Sequence, residues 1–228
     1  MPNARSTTMS PRRIRAMIAV VGLALMMVVS AVSGLNVALP DLARETGATQ
    51  SQLQWIVDAY TVALAGLLFV AGAIGDRFGR RRILLVGLVI FGGAAATAML
   101  ADGPLTLIVG RAFMGVGAAA VMPTTLSIIT TSVPEEMRAK AVGLWVGIAG
   151  GGAVLGLIMS GLLLQWFSWS SFFALNVAMA ALAFVGALVV IPNSVEEHPP
   201  AIDPVGAVLS FLAIGLLVFG IIEGPVEG

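Results

Sequence analysis

Seven long apolar runs dominate this sequence, at 16–39, 54–75, 83–101, 105–130, 139–164, 171–191 and 205–222. A helix that crosses the hydrocarbon core of a bilayer needs roughly 20 mainly apolar residues, and every run meets or approaches that length. Inside lipid each backbone N–H and C=O must find its partner within the protein, which a helix does within its own segment and an open strand cannot. The chain therefore reads as an all-α, multi-pass protein embedded in a lipid bilayer. Only 11% of its residues are charged, whereas a soluble domain coats itself with roughly 25%.

The few charges are placed unevenly. Arg5, Arg12, Arg13 and Arg15 precede the first run, Arg77, Arg80, Arg81 and Arg82 follow the second, and Arg138 and Lys140 follow the fourth. Of the remaining basic residues, Arg44 lies in the first loop on the other side and Arg111 lies within the fourth run. Basic residues collect in cytoplasmic loops, so the N-terminus is expected in the cytoplasm of a cell, with the cell membrane as the site. The 192–204 connection should share that side, yet holds Glu196, Glu197 and Asp203 and no basic residue; acidic residues weigh little in the rule. The basic start, the apolar run and Ser30-Ala31-Val32-Ser33 also resemble a secretory leader, but the run exceeds a usual leader core and six more follow.

Several function classes drop out. Cys is absent, which removes disulfides, thiolate metal sites and Cys nucleophiles. His198 is the single His, and one imidazole makes no metal centre, so neither metal nor other cofactor is expected. Formal net charge is zero, which leaves no basic footprint for nucleic acid. A retinal-type seven-helix protein needs a Lys in its last helix, and the sole lysine is Lys140, in a loop. With no intramembrane His, no close carboxylate pair and no phosphate-cradling glycine loop, the chain is not expected to be an enzyme.

The densest local signal is the run Gly72-Ala73-Ile74-Gly75-Asp76-Arg77-Phe78-Gly79-Arg80-Arg81-Arg82. It reads as a tight turn between two helices, with Gly79 supplying a positive φ and Asp76 accepting hydrogen bonds from nearby arginines or free N–H groups. An anchor of basic residues around a glycine turn would look similar. The order of residues, G-x-x-x-D-R-x-G-R-R, is more specific and resembles the loop motif of the major facilitator superfamily. Asn36-Val37-Ala38-Leu39-Pro40 and Gln54-Trp55-Ile56-Val57-Asp58-Ala59-Tyr60 resemble its fourteen-helix drug:proton antiporter branch. So do Gln165 to Trp169 with Phe173 and Asn176. The fourth run, Leu107-x3-Arg111-x3-Gly115-x-Gly117-Ala118-Ala119-x3-Pro123, is similar to the family's arginine-bearing fourth helix.

Arg111 lies about 9 Å along its helix at 1.5 Å per residue, where a cation costs at least a few kcal/mol unless it meets a cavity or a partner. It is either a structural cation bonded to backbone carbonyls or, as the resemblance implies, a group that controls a nearby carboxylate and so takes part in proton coupling. Related antiporters carry Asp five residues before the Asn of the N-V-A-L-P run; here that position is Ala31. Asp58 is the remaining acidic candidate. It either pairs with Arg111, directly or through water, or sits hydrated at headgroup level.

The fifth run departs from the family's G-x-x-x-G-P-x-x-G-G, reading Gly152-x3-Gly156-Leu157-x2-Ser160-Gly161. Gly152, Gly156 and Gly161 at this spacing suit close helix packing, as do Gly143, Gly147 and Gly151, while Leu157 in place of Pro removes an expected bend. Met26, Met27, Phe69, Phe113, Met114 and Met122 either line a soft wall for apolar molecules or face lipid and core.

The resemblance implies a six-helix transporter half over 16–191, built as two inverted three-helix repeats. It further implies a basic cytoplasmic terminus at 1–15, a linker at 192–204, and at 205–228 a seventh helix with a cut-short end. Export of small drug-like molecules coupled to protons is the implied function, with a C-terminal half as the missing partner. The chain is then expected to be an incomplete transporter or one needing a second chain; a non-transporting structural or regulatory fragment is the rival reading.

Overall fold

The computed structural model describes residues 11–133, 135–192, 194–195 and 203–227. Arg5, Glu196, Glu197 and His198, and with them parts of the expected 1–15 terminus and 192–204 linker, lie outside the described residues. The order is α1 (Pro11–Ser33), α2 (Leu35–Thr46), α3 (Gln50–Phe78), α4 (Arg80–Met99), α5 (Pro104–Thr131), a single 3-10 turn (Glu135–Met137), α6 (Arg138–Leu164), α7 (Ser170–Val190) and α8 (Pro204–Glu227). No strand occurs among the described residues. Helices α1, α3, α4, α5, α6 and α7 are long and apolar enough to cross a membrane, while the described apolar stretch of α8, Val208–Glu223, is shorter.

Local chemistry sets the turns. Gly47, in the left-handed region at φ 66°, closes α2, and Thr49 opens α3 with a capping box in which Thr49 and Gln52 satisfy each other's backbone N–H. Pro104 stands at the first turn of α5, where a missing N–H does no harm. The first apolar run is not one helix as expected. It breaks at Gly34, where an added Cβ would come within 2.8 Å of the Phe172 ring and 2.9 Å of the Gly156 carbonyl. Only glycine lets the chain pass that close to α6 and α7 together, and α2 then continues through Pro40 to Thr46.

The packing has an internal order. Helix α5 lies against α3 and α4, and α1 lies against α6 and α7. Helix α4 meets α7, α1 meets α5, and α8 leans on α3. Exchanging the unit α1/α2–α3–α4 with the unit α5–α6–α7 maps each of these pairings, α8 apart, onto another or onto itself, as two repeated three-helix units require. The core is apolar and continuous from Met17, Val21 and Val28 on α1 to Phe91 on α4, Met114 on α5 and Phe173 on α7, all essentially inaccessible.

Candidate functional site

Arg111 is the largest fully buried side chain, with no exposed surface. Its Nε donates to the carbonyl of Ile56 on α3 at 3.0 Å and its Nη1 to the carbonyl of Ala31 on α1 at 3.1 Å. The guanidinium carbon stands 4.2 Å from the centre of the Tyr60 ring. Taking such a cation out of water costs several kcal/mol. Hydrogen bonds from a charged group return about 1.5–3 kcal/mol each, and a desolvated cation–π contact about 2 kcal/mol. Together these balance the burial without a carboxylate.

Helix α5, which carries Arg111, comes close to α3 and α4 through glycines on the faces turned to them. An added Cβ at Gly115 would lie 2.4 Å from the Tyr60 carbonyl oxygen, and one at Gly117 would lie 2.6 Å from the Phe91 nitrogen. Gly115 therefore seats α5 on α3, and Gly117 seats it on α4. Further along α5, Pro123 faces Gly72, where an added Cβ would lie 3.4 Å from Pro123 Cβ.

Asp58 does not meet Arg111: among the described residues Arg111 forms no ion pair. The reason is helical geometry. Ile56 and Tyr60 are four residues apart and share the face turned to Arg111, whereas residues two apart point to opposite sides. Asp58 instead lines a 430 Å³ cavity with Asn36, Leu39 and Pro40 of α2 and Gln54 of α3.

The turn after α3 follows the expected chemistry, an arginine donating to Asp76, and adds a partner from α5. Gly79 has φ 110° and donates to the Gly75 carbonyl at 3.0 Å. Asp76 Oδ1 accepts from Arg80 Nε at 2.9 Å and from Ser127 Oγ of α5 at 3.3 Å. Arg81 donates to the carbonyl of Leu188, and Arg13 Nε to that of Val190 at 3.4 Å. Both acceptors belong to the last turn of α7, the negative end of its dipole. Arg77 stands over the Phe78 ring at 5.9 Å.

The small residues of α6 divide. Gly152 and Gly156 press on α1, where added Cβ atoms would lie 3.0 Å from Met26 Cα and 2.7 Å from Ser30 Cα. Ser33 Oγ donates to the Ala153 carbonyl between them at 2.9 Å. Gly161 does not belong to this contact, nor do Gly143, Gly147 and Gly151: an added Cβ at any of them meets nothing within 4 Å. Helical spacing sets them on the face away from Gly152 and Gly156, and the packing shows that this face is the outward one. The expected methionine and phenylalanine wall divides as well. Met27 and Met114 are core, while Phe69 and Met122 line a 660 Å³ cavity with Gly72, Asp76 and Trp145. Tyr60 closes the Gln54–Tyr60 run that resembles the antiporter branch, though nothing in the run tied Tyr60 to Arg111; Trp145, donating Nε1–H to Thr125 Oγ1 at 3.1 Å, carried no sequence signal of its own.

A family model described as Major Facilitator Superfamily matches residues 21–224. The chain belongs to the major facilitator superfamily. It is similar to the multidrug resistance protein Stp of Mycobacterium tuberculosis (strain CDC 1551 / Oshkosh), at 35% identity over 91% of this chain and 39% of that protein. It is likewise similar to the methylenomycin A resistance protein of Bacillus subtilis (strain 168), at 33% identity over 92% of this chain and 45% of that protein. The facilitator fold itself is shared with the POT family transporter PepTSo, with a TM-score of 0.71 at 16% identity over 86% of this chain and 40% of that one. The chain thus spans about two fifths of the length of these relatives and fits the N-terminal half of a facilitator. Family relatives are transporters, not enzymes.

Proposed function

We propose that this chain is the N-terminal half of a carrier that exports small drug-like molecules in exchange for protons. The observation that carries the reading is the fully buried Arg111 in a facilitator bundle, together with kinship to resistance proteins over nearly its whole length. A fixed cation of this kind repels a second positive charge nearby and so biases when a proton or a cationic molecule can bind. Asp58, open to its own cavity beside Asn36 and Gln54, is the proton-binding group in this reading. The cavity walled by Phe69, Met122 and Trp145 is of a size that holds drug-like molecules, and its apolar, adaptable lining suits them. The arginine-rich end faces the cytoplasm and the membrane is the cell membrane.

A second reading, a non-transporting structural or regulatory membrane fragment, is favoured by the open outer face of α6. One experiment separates them. The segment is grafted in place of the N-terminal half of a similar efflux pump, and extrusion of a lipophilic dye is followed with and without a proton gradient. Gradient-dependent extrusion that falls at least tenfold in Arg111→Gln and in Asp58→Asn supports the carrier. Extrusion indifferent to both substitutions rejects these roles, and no extrusion by any graft favours the fragment. Because the chain lacks cysteine, a single Cys at Arg82 reports sidedness: labelling from outside intact cells would reverse the orientation.

A further inference from the structure

Arg111 is a buried cation that forms no ion pair among the described residues, and its Nη2 has no hydrogen-bond partner there. Two carbonyls take up the Nε and Nη1 protons, but carbonyl dipoles are only part of what a carboxylate would supply. The remaining negative potential comes from the face of one ring. Tyr60 lies 4.2 Å under the guanidinium carbon, and an aromatic face attracts a cation most strongly where water is excluded.

That ring is held from three sides. Its hydroxyl donates to the Val28 carbonyl of α1 at 2.8 Å. Phe91 of α4 meets it edge-on, with centroids 6.5 Å apart and planes at 86°. Gly115, one turn beyond Arg111, brings α5 so close that an added Cβ would strike the Tyr60 carbonyl at 2.4 Å. The hydroxyl bond satisfies a buried polar group that any buried tyrosine must satisfy; the braced edge and the close approach of the helix that carries the cation are what fix the ring beside Arg111.

We propose that Tyr60 is the positioning residue for Arg111, its ring face standing in for a carboxylate counter-charge and joining α1, α3, α4 and α5 around one permanently charged guanidinium. The hydroxyl bond to Val28 orients the ring; the face does the electrostatic work. Carbonyl acceptance at Ala31 puts position 31 beside the guanidinium, so a carboxylate introduced there supplies the charge the ring otherwise provides. The consequence for transport, a cation held still while the carrier rocks, rests on the efflux reading. The contacts do not, and they are tested without transport.

The test uses the chain purified in detergent. Tyr60 is the sole tyrosine, so tyrosine labelled with ¹³C at Cζ gives one NMR resonance. Arg111→Gln should move that resonance, and Tyr60→Phe, which keeps the ring face and loses one hydroxyl bond, should lower the melting temperature by only about 2 °C. Tyr60→Leu should lower it by about 5 °C, the size expected for losing a desolvated cation–π contact in a chain of this length. Ala31→Asp combined with Tyr60→Leu should recover most of that loss, while the uncharged Ala31→Asn should not. Equal losses in Tyr60→Phe and Tyr60→Leu would overturn the proposal, as would equal rescue by Asp and Asn or an unmoved resonance. A Tyr60→Leu chain that does not fold, and that Ala31→Asp fails to return to a folded state, would overturn it too.

Discussion

Helices α3 and α6 hold corresponding places in the two three-helix units, yet they are treated differently by the rest of the chain. Helix α3 packs on α5 through Gly115, which sits against the Tyr60 carbonyl, and α6 packs on α1 through Gly152 and Gly156, which sit against Met26 and Ser30. Both contacts use glycine to bring backbones together. On its other side α3 carries α8, with Phe211 seated on Gly66. Among the described residues nothing packs on the outward face of α6, and Ile158 and Leu162 there are about half exposed, at 52% and 50%. The buried cation, its ring and its carbonyl acceptor at Ile56 all belong to the α3 side. Duplicated geometry therefore supplies a scaffold, and the differences between its copies supply the chemistry.

The sharpest way to break the comparison is at Gly115. Valine there must displace a backbone oxygen 2.4 Å away and the Ala63 methyl 2.8 Å away, and neither is the free end of a flexible side chain. Overpacking of a tight core costs about 1–3 kcal/mol and at times more; Gly115→Val should lie at the upper end, about 3 kcal/mol. It should reduce the folded fraction recovered in detergent more than any other single glycine change on α5 or α6. A variant recovered at wild-type yield and melting temperature would mean that α3 and α5 separate easily, and that the Arg111 cradle is loose.

A matched pair on α6 measures the other copy. Gly156→Ala brings a methyl to 2.7 Å from Ser30 Cα and 2.8 Å from Ser33 Oγ, so it should destabilise by about 1–2 kcal/mol. Gly147→Ala enters open space and gains helix propensity, so it should be neutral or raise stability by up to about 1 kcal/mol. Melting of the two variants side by side checks the sign. If Gly147→Ala is as damaging as Gly156→Ala in this chain, the outward face of α6 is covered by something in solution, and the two copies are more alike than they look.

These glycines also mark the limit of reading such a chain from its sequence. Apolar runs of membrane-crossing length specify helices directly, because lipid leaves the backbone no alternative, and the Gly79 turn was legible because a positive φ beside charged residues calls for glycine. Which glycine meets a neighbour was not legible. Gly152 and Gly161 share one motif but stand nine residues apart, half a turn around α6, so the spacing separates their faces; which of the two meets α1 is decided by a neighbour more than a hundred residues away in sequence. Asp58 was the natural partner for Arg111 by charge, but Ile56 and Tyr60 share the face that meets it, and the run that ends in Tyr60 does not announce a ring stacked on a cation. The tight contact at Gly34 was hidden for a related reason: it depends on Phe172 and Gly156 arriving together.

The smallest expected effect concerns what makes α3 differ from α6, the attachment of α8. At the end remote from the arginine-rich turn, Glu223 Oε1 accepts from Ser51 Oγ at 2.7 Å and from Trp55 Nε1 at 2.8 Å, and Phe219 lies 6.1 Å from the Trp55 ring. Two donors on one oxygen give a clamp that glutamine can keep, because its carbonyl oxygen still accepts, and that leucine cannot. The clamp sits at the surface, where water competes for every bond, so Glu223→Leu should loosen the end of α8 without unfolding the bundle. Position 215 offers a ruler: an added Cβ there would lie 3.9 Å from Val62 Cγ1, and a Val62→Cys/Gly215→Cys pair in this cysteine-free chain should cross-link under mild oxidation. Cross-linking should proceed at the parent rate in Glu223→Gln and more slowly in Glu223→Leu. An unchanged rate in Glu223→Leu would mean that Phe211 against Gly66 holds α8 by itself, and the asymmetry between the two units would then rest on one apolar contact rather than on a polar clamp.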